Sequence, residues 1–213
     1  MNRLPLVLLP LLLAACALHE WKFSDTLVEG RRMLVEVEQW HSKDASTFPE
    51  YAHPRKLDPQ FVESSLTSLQ YRMRRMAVDQ VVRSVVVPEM AKPLAAAIVE
   101  GLEKCQSDER IRFIVRNPTD YALMLRVERL ARGVAFVKPE GTFNVAFDLV
   151  GIASGWSGRV RTQRDSEDYD PEDWEDPTAS AEGSIELIIP DHARFQKTAK
   201  GEHHPLWIRY PIP

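Results

Sequence analysis

An α+β fold built on a mostly antiparallel sheet is predicted from three observations. Segments of alternating apolar and polar residues recur along the chain, at Met33–Trp40, Arg110–Arg116 and Thr142–Val150. Two other stretches, one after Asp58-Pro59 and one around Pro93, repeat apolar residues at helical spacing. No βαβα rhythm and no glycine-rich phosphate turn links them. Strands that bury one face and wet the other belong to antiparallel sheets with helices packed on one side. The expectation is a sheet of about five to seven strands with two main helices on one face.

The elements follow in order. Met33, Val35 and Val37 lie on one side of their segment, with Glu36 and Glu38 on the other, so it reads as a half-buried strand. His41 to Lys56 carries Pro49 and Pro54 with few apolar residues and reads as a loop. Asp58 supplies an N-cap and Pro59 a first helical position. Phe61, Val62, Ser65, Leu66 and Leu69 then form a short helical face. Val81 to Val87 is rich in β-branched residues and is expected to be a strand. Glu89 to Lys104 is the clearest helix. Pro93 falls early, where a first turn tolerates it. Leu94, Ile98, Leu102 and Cys105 share its face.

The second half reads as strands. Ile111, Phe113 and Val115 face inward from Arg110, Arg112 and Arg116, and Asn117-Pro118 marks a turn. Tyr121–Arg129 and Gly133–Val137 follow, and Lys138-Pro-Glu-Gly141 has the length and chemistry of a hairpin loop. Phe143, Val145, Phe147 and Leu149 are expected to point inward, leaving Asp148 on the surface. Ile185–Ile189 is a strand stopped by Pro190, and LWIRYPIP is a last short one.

Composition narrows the function classes. At 213 residues, 44% hydrophobic and 27% charged, the chain can bury a core of its own. The formal net charge is −4, and no long basic stripe is present. Nucleic-acid binding through phosphate contacts is therefore not expected.

The first residues carry a separate signal. Arg3 precedes an apolar run, Leu4 to Leu13, that Pro5 and Pro10 interrupt. It is too short to span a bilayer, which takes roughly 20 apolar residues. A charged start, a short apolar run and small residues at its end read as a secretory signal peptide. Leu13-Ala14-Ala15-Cys16 resembles the lipobox of bacterial lipoprotein precursors. That resemblance covers the first 17 residues or so. It implies removal of residues 1–15, a diacylglycerol on the Cys16 thiol and acylation of the new amine. Two or three acyl chains anchor stably where one is marginal. Ala17, in place of a retaining Asp, implies the outer membrane, facing the periplasm. The expected organisation is a signal peptide at 1–15, the lipidated cysteine and a tether at 16–30, and one periplasmic domain at 31–213. Trp21, Phe23 and Leu27 suggest that the tether docks rather than floats. With Cys16 acylated, Cys105 has no disulfide partner and reads as a small core residue rather than a reactive thiol.

Few residues point to chemistry. Asp165 to Pro177 is strongly acidic, within a loop expected at about 163–180. Its order does not match a calcium-binding EF-hand loop, and such runs are usually solvated. Tyr169 and Trp174 inside it are candidate partner contacts. None of His19, His41, His53, His192, His203 and His204 has a ligand partner one helical turn away. No nucleophile elbow is present, since Gly155-Trp-Ser-Gly158 is too short and opens no helix. No cofactor or metal is expected. Arg110, Arg112 and Arg116, with Arg126 on the next strand, form a candidate patch for an anionic glycan, a lipid head group or the chain's own acidic loop. The plainer reading is cross-strand ion pairing, for example with Glu128. The leading expectation is a lipid-anchored, non-catalytic accessory or scaffold in envelope assembly, transport or secretion, bound to a protein partner. The alternatives are a lipid-anchored envelope hydrolase and a ligand- or calcium-binding module.

Overall fold

The computed structural model describes residues 20–42, 49–73, 81–120, 126–154, 176–178 and 185–213. In chain order the elements are β1 (Glu20–Gly30), β2 (Met33–His41), α1 (Pro59–Thr67), β3 (Gln70–Met73), β4 (Val82–Ser84), α2 (Pro88–Lys104) and β5 (Glu109–Asp120). Then come β6 (Arg126–Lys138), β7 (Thr142–Ser154), β8 (Ile185–Ile188), β9 (Arg194–Lys197) and β10 (His203–Pro211). A seven-stranded sheet runs β1-β2-β5-β6-β7-β10-β9, and a three-stranded sheet runs β4-β3-β8. Every pairing in both is antiparallel. The fold is sheet-dominated, with two helices among the described residues.

The register sorts side chains onto two faces. Val35 sits opposite Phe113 and Val37 opposite Ile111, while Ile111 faces Ala135, which faces Val145. Val145 in turn faces Ile208. All of these are buried, in one cluster with Val62 and Leu66 of α1 and Leu94, Ile98 and Leu102 of α2. The opposite face carries Glu36, Glu38, Arg110, Arg112, Val134, Phe136 and Ala146, and holds a smaller buried cluster of Tyr51, Val134, Phe136 and Ala146. The expectation that each strand wets one face fails here: both faces of the central strands are buried. The segment at Tyr51–His53 covers the strand ends. Tyr51 N donates to the Ser107 carbonyl, and Ala52 N donates to that of Val137.

α1 starts where the sequence indicates, whereas α2 starts one residue earlier than expected, at Pro88, so Pro93 lies in the helix interior rather than in its first turn. The Asp58 carboxylate accepts from Gln60 N at 2.9 Å and Pro59 opens α1. α2 opens with Pro88 after Val87, which offers no capping oxygen. Asn117 compensates: its side-chain carbonyl accepts from Val87 N at 3.0 Å and its amide donates to Val85 O at 2.8 Å. The inward stripe Ile111, Phe113, Val115 thus ends in a buried polar clamp on the entry to α2.

Several elements differ from expectation. Residues 20–30 are an edge strand rather than a tether, because β2 leaves a ladder side open and Leu27 and Val28 pack against the core. Val81–Val87 is a strand only at Val82–Ser84, since Pro88 draws the following residues into the helix entry. Asn117-Pro118 does not turn. β5 continues to Asp120, because its ladder with β2 stops at Val115. Pro118 then needs to serve only β6. The expected strands on either side of residues 130–132 form one strand, β6. Residues 121–125 lie outside the described residues. Gly141 closes the β6–β7 hairpin as expected, its N–H donating to Lys138 O. β9 has no counterpart in the alternation pattern, and β10 begins at His203, earlier than expected.

β7 carries two bulges, where Asp148 and Gly151 are the extra residues opposite β6. The first inverts the alternation, so Val150 is buried in place of Leu149. Gly151 has φ +73°, and a Cβ there would collide with the Tyr71 ring. This glycine lets the large sheet meet β3. Gly151→Ala is expected to cost roughly 3 kcal/mol in urea unfolding, from a left-handed backbone and an immovable ring. Gly141→Ala, with φ +75° and open space at the Cβ, should cost about 1 kcal/mol.

Candidate functional site

The second face of the large sheet is built by spacing alone. Glu36 and Glu38 are two apart on β2, and Arg112 and Arg110 are two apart on β5. The register sets Glu38 opposite Arg110 and Glu36 opposite Arg112. Arg110 Nε donates to Glu38 Oε2 at 2.9 Å, and Arg112 Nη1 donates to Glu38 Oε1 at 3.3 Å. Arg112 Nε lies 3.6 Å from Glu36 Oε2. A further pair extends the ladder, Arg132 of β6 donating to Asp148 at the first bulge of β7.

The end of the acidic run closes this ladder. Arg110 Nη1 donates to Asp176 Oδ1 at 2.9 Å, and Trp21 Nε1 donates to Asp176 Oδ2 at 3.1 Å. Thr178 N and Oγ1 also donate to Oδ1. One carboxylate therefore ties β1, β5 and the segment 176–178 together. The Arg110 guanidinium lies 3.7 Å from the centre of the Trp21 ring, a cation–π geometry. Trp21 also contacts Trp40 and stacks on Tyr51. Tyr51 packs on Phe136, which in turn meets Trp207 edge-on.

The titration behaviour follows from burial against charge. Burial would raise the Asp176 carboxyl, but the Arg110 charge and the Thr178 hydrogen bonds hold it below the usual range. At Asp148 burial prevails over Arg132, and at Glu36 over Arg112, so both are raised. Burial pushes the Tyr51 hydroxyl up to about 12 against the pull of Arg110. His53 lies behind Tyr51, where its Nε2 accepts from Val137 N at 3.2 Å and burial lowers its pKa to about 4.

The predicted residues separate. Arg110, with 0% exposure, and Arg112 are taken up by Glu38, Glu36 and Asp176. Their ion-pair partners are on β2 and in the acidic run, rather than Glu128. Arg116 is half-buried at the far end of β5, where its N–H donates to Arg32 O. Arg126 starts β6 at the same end. Cys16, Tyr169 and Trp174 lie outside the described residues. Asp148, expected on the surface, has a side chain only 6% exposed, because the bulge turns it toward Arg132. Cys105 is buried and its thiol is pushed up to about 12 by burial. His204, expected in a loop, is buried in β10. Among the described residues no group of three or more His, Cys, Asp or Glu is placed to hold a metal ion. No described helix is long and apolar enough to cross a membrane.

Sequence reasoning missed Tyr51 and Arg132, read Trp21 only as a docking residue of the tether, and gave the acidic run only as one of three partners for the arginine patch; Asp176 of that run is the one Arg110 takes. One signal was present: the matched two-residue spacings of Glu36/Glu38 and Arg110/Arg112. Comparison with known proteins gives no match to a family model, a curated protein or a solved structure.

Removing Glu38 leaves two buried guanidiniums short of an acceptor. Glu38→Ala should lose about 3–5 kcal/mol in equilibrium unfolding. Asp176→Ala, which leaves Arg110 with Glu38, should lose about 1–3 kcal/mol. A separate prediction concerns acid. His53 has a folded pKa below its unfolded value of 6.5, so the unfolded state binds more protons between the two values. Stability is then complete above the unfolded pKa and falls as pH drops toward about 4. Urea midpoints should show a loss of about 2 kcal/mol from pH 7 to pH 5, and His53→Asn should remove most of that slope.

Proposed function

We propose that this chain is a lipid-anchored periplasmic protein of the outer membrane, held through Cys16, and that its domain is a non-catalytic accessory or scaffold in an envelope assembly, transport or secretion system. The observation that carries the reading is the position of β1. It begins at Glu20, four residues after the cysteine of Leu13-Ala14-Ala15-Cys16, and it is an outer strand of the large sheet. Four extended residues reach about 14 Å at most, so an acylated Cys16 keeps the start of β1 near the bilayer. Lys22 to Thr26 are exposed, and Phe23 projects with 58% of its surface in solvent. A long outer strand with an exposed aromatic is suited to strand addition by a partner.

The same reading takes both helices to cover the sheet face that bears Val35, Ile111 and Phe113. In its support, Leu66, Leu94 and Ile98 are buried in that cluster. The ladder face then stabilises the sheet, and the sheet's outer strand meets the partner.

The test is affinity purification of the tagged chain from gently solubilised envelopes, with Cys16→Ala and Phe23→Ser alongside. A reproducible protein partner that is lost with Cys16→Ala and reduced severalfold with Phe23→Ser is the expected result. A protein that fractionates as soluble with Cys16 intact would overturn the anchor. An anchored protein recovered alone would overturn the scaffold.

A further inference from the structure

The second face of the large sheet changes character toward β9. Along the ladder each arginine meets a carboxylate: Arg110 and Arg112 take Glu38 and Glu36, and Arg132 takes Asp148. On the other side of the sheet, Arg209 of β10 lies directly opposite Arg194 of β9. The neighbouring pair, Ile208 and Phe195, packs with the cluster of Val35 and Ile111. Trp207 packs against the second-face cluster. By alternation, Arg209 and Arg194 share that face with Trp207.

Among the described residues this pair has no acid. The Arg209 side chain is half-buried and makes no hydrogen bond or ion pair, and its Nε is enclosed without an acceptor. Arg194 is exposed. Its Nη1 donates to the carbonyls of Asp191 and Ala193, which orients the guanidinium without neutralising it. Lys138 of β6 adds a third cation, with Nζ 4.9 Å from the centre of the Trp207 ring. Among the described residues none of the three cations is in an ion pair, although Glu140 and Asp191 are close in sequence. Like charges directly opposite each other across a ladder are destabilising. A sheet that neutralises its ladder arginines from within thus leaves this corner suited to an anion from outside, on a chain whose net charge is −4.

Trp207 narrows the kind of anion. It is half-buried, and its Nε1 already donates to Asn144 Oδ1 at 3.0 Å, so what it offers a ligand is carbon surface. Asn144 is fully buried and donates to Thr142 O and Oγ1. Phe136 and His204 meet the indole edge-on at 5.6 and 5.8 Å. Ordering the ring in advance lowers the cost of binding. The arc from Lys138 to Arg194 crosses β6, β7, β10 and β9, about 14 Å at about 4.8 Å per strand. It lies on the face of the sheet, where a strand pairing with the edge of β9 would not cover it. A ring with C–H faces and an attached oxyanion fits this arc. Its C–H bonds meet the negative face of the indole, and its oxyanion meets guanidinium forks. We propose that this corner binds an acidic glycan, with a sugar ring against Trp207 and a carboxylate or phosphate group on Arg194 and Arg209. The site is across the sheet from β1 and does not rest on the lipid anchor, so its failure would leave the anchor and scaffold readings untouched.

The test is calorimetric titration of the full chain with trigalacturonate and with glucose 6-phosphate, at ionic strength held constant by sodium chloride. Maltotriose serves as the neutral sugar and triglutamate as the acidic peptide. Saturable binding of trigalacturonate or glucose 6-phosphate is expected, tighter than that of maltotriose and triglutamate. It should weaken roughly tenfold or more in Arg194→Gln and in Arg209→Gln, and severalfold in Trp207→Phe. Arg31→Gln, in the β1–β2 turn, should leave it unchanged. If Arg209→Gln unfolds, which circular dichroism reports, the exposed Arg194→Gln decides alone. Absence of saturable binding of both acidic sugars overturns the proposal, as does equal binding by wild type and Arg194→Gln. Triglutamate bound as tightly as the acidic sugars would overturn it in favour of an acidic peptide, and maltotriose bound as tightly would remove the role of charge.

Discussion

A guanidinium cut off from water must be surrounded by acceptors, and the rest of this structure accommodates that demand at Arg110. The cost of removing an ion from water is several kcal/mol even after relaxation. Glu38 meets it from the neighbouring strand, Asp176 from a distant segment, and the Trp21 ring from the outer strand. Each of these comes from a different part of the chain. Their convergence therefore fixes β1 on β2, β2 on β5, and residues 176–178 on β1 and β5.

That arrangement explains why the polar face is not a wet face. Alternation of Glu and Arg with Val and Ile is the usual mark of a half-exposed strand. Here the acids and bases complement one another at the same two-residue spacing, so they neutralise in place. The aromatic residues Tyr51, Phe136 and Trp207 then cover the remaining surface beside them. The sheet gains a second, thin core. Asp148 and Arg132 repeat the solution further along, where a bulge supplies the bend that brings them together.

The helices, the hairpin at Lys138–Gly141, the inward stripes of β2 and β5 and the first part of the stripe on β7, Phe143 to Phe147, were legible because each depends on neighbours in sequence. Asp58-Pro59 caps α1 through a contact two residues long. What was illegible depends on partners far away. β1 looks like a tether until β2 offers it a ladder. Pro118 looks like a turn until β2 is seen to stop short of it. Arg110 looks like a surface residue until Glu38, 72 positions earlier, is placed opposite.

The buried ladder also serves the sheet in a way apolar residues could not. A hydrophobic face tolerates some slippage, because one apolar contact replaces another. A slip of β2 by one residue against β5 would move Glu36 and Glu38 to the opposite face, against Phe113 and Ile111. It would also leave Arg110 and Arg112 without their acceptors. Four unpaired charges would then be buried at once, a penalty far larger than the marginal stability of a domain. Ion pairs of this kind add little net stability over a well-packed apolar face. Their contribution is to make the wrong registers inaccessible. Through Asp176 and the Trp21 ring the same charges reach β1, so the ladder that fixes β2 on β5 also holds the outer strand in place.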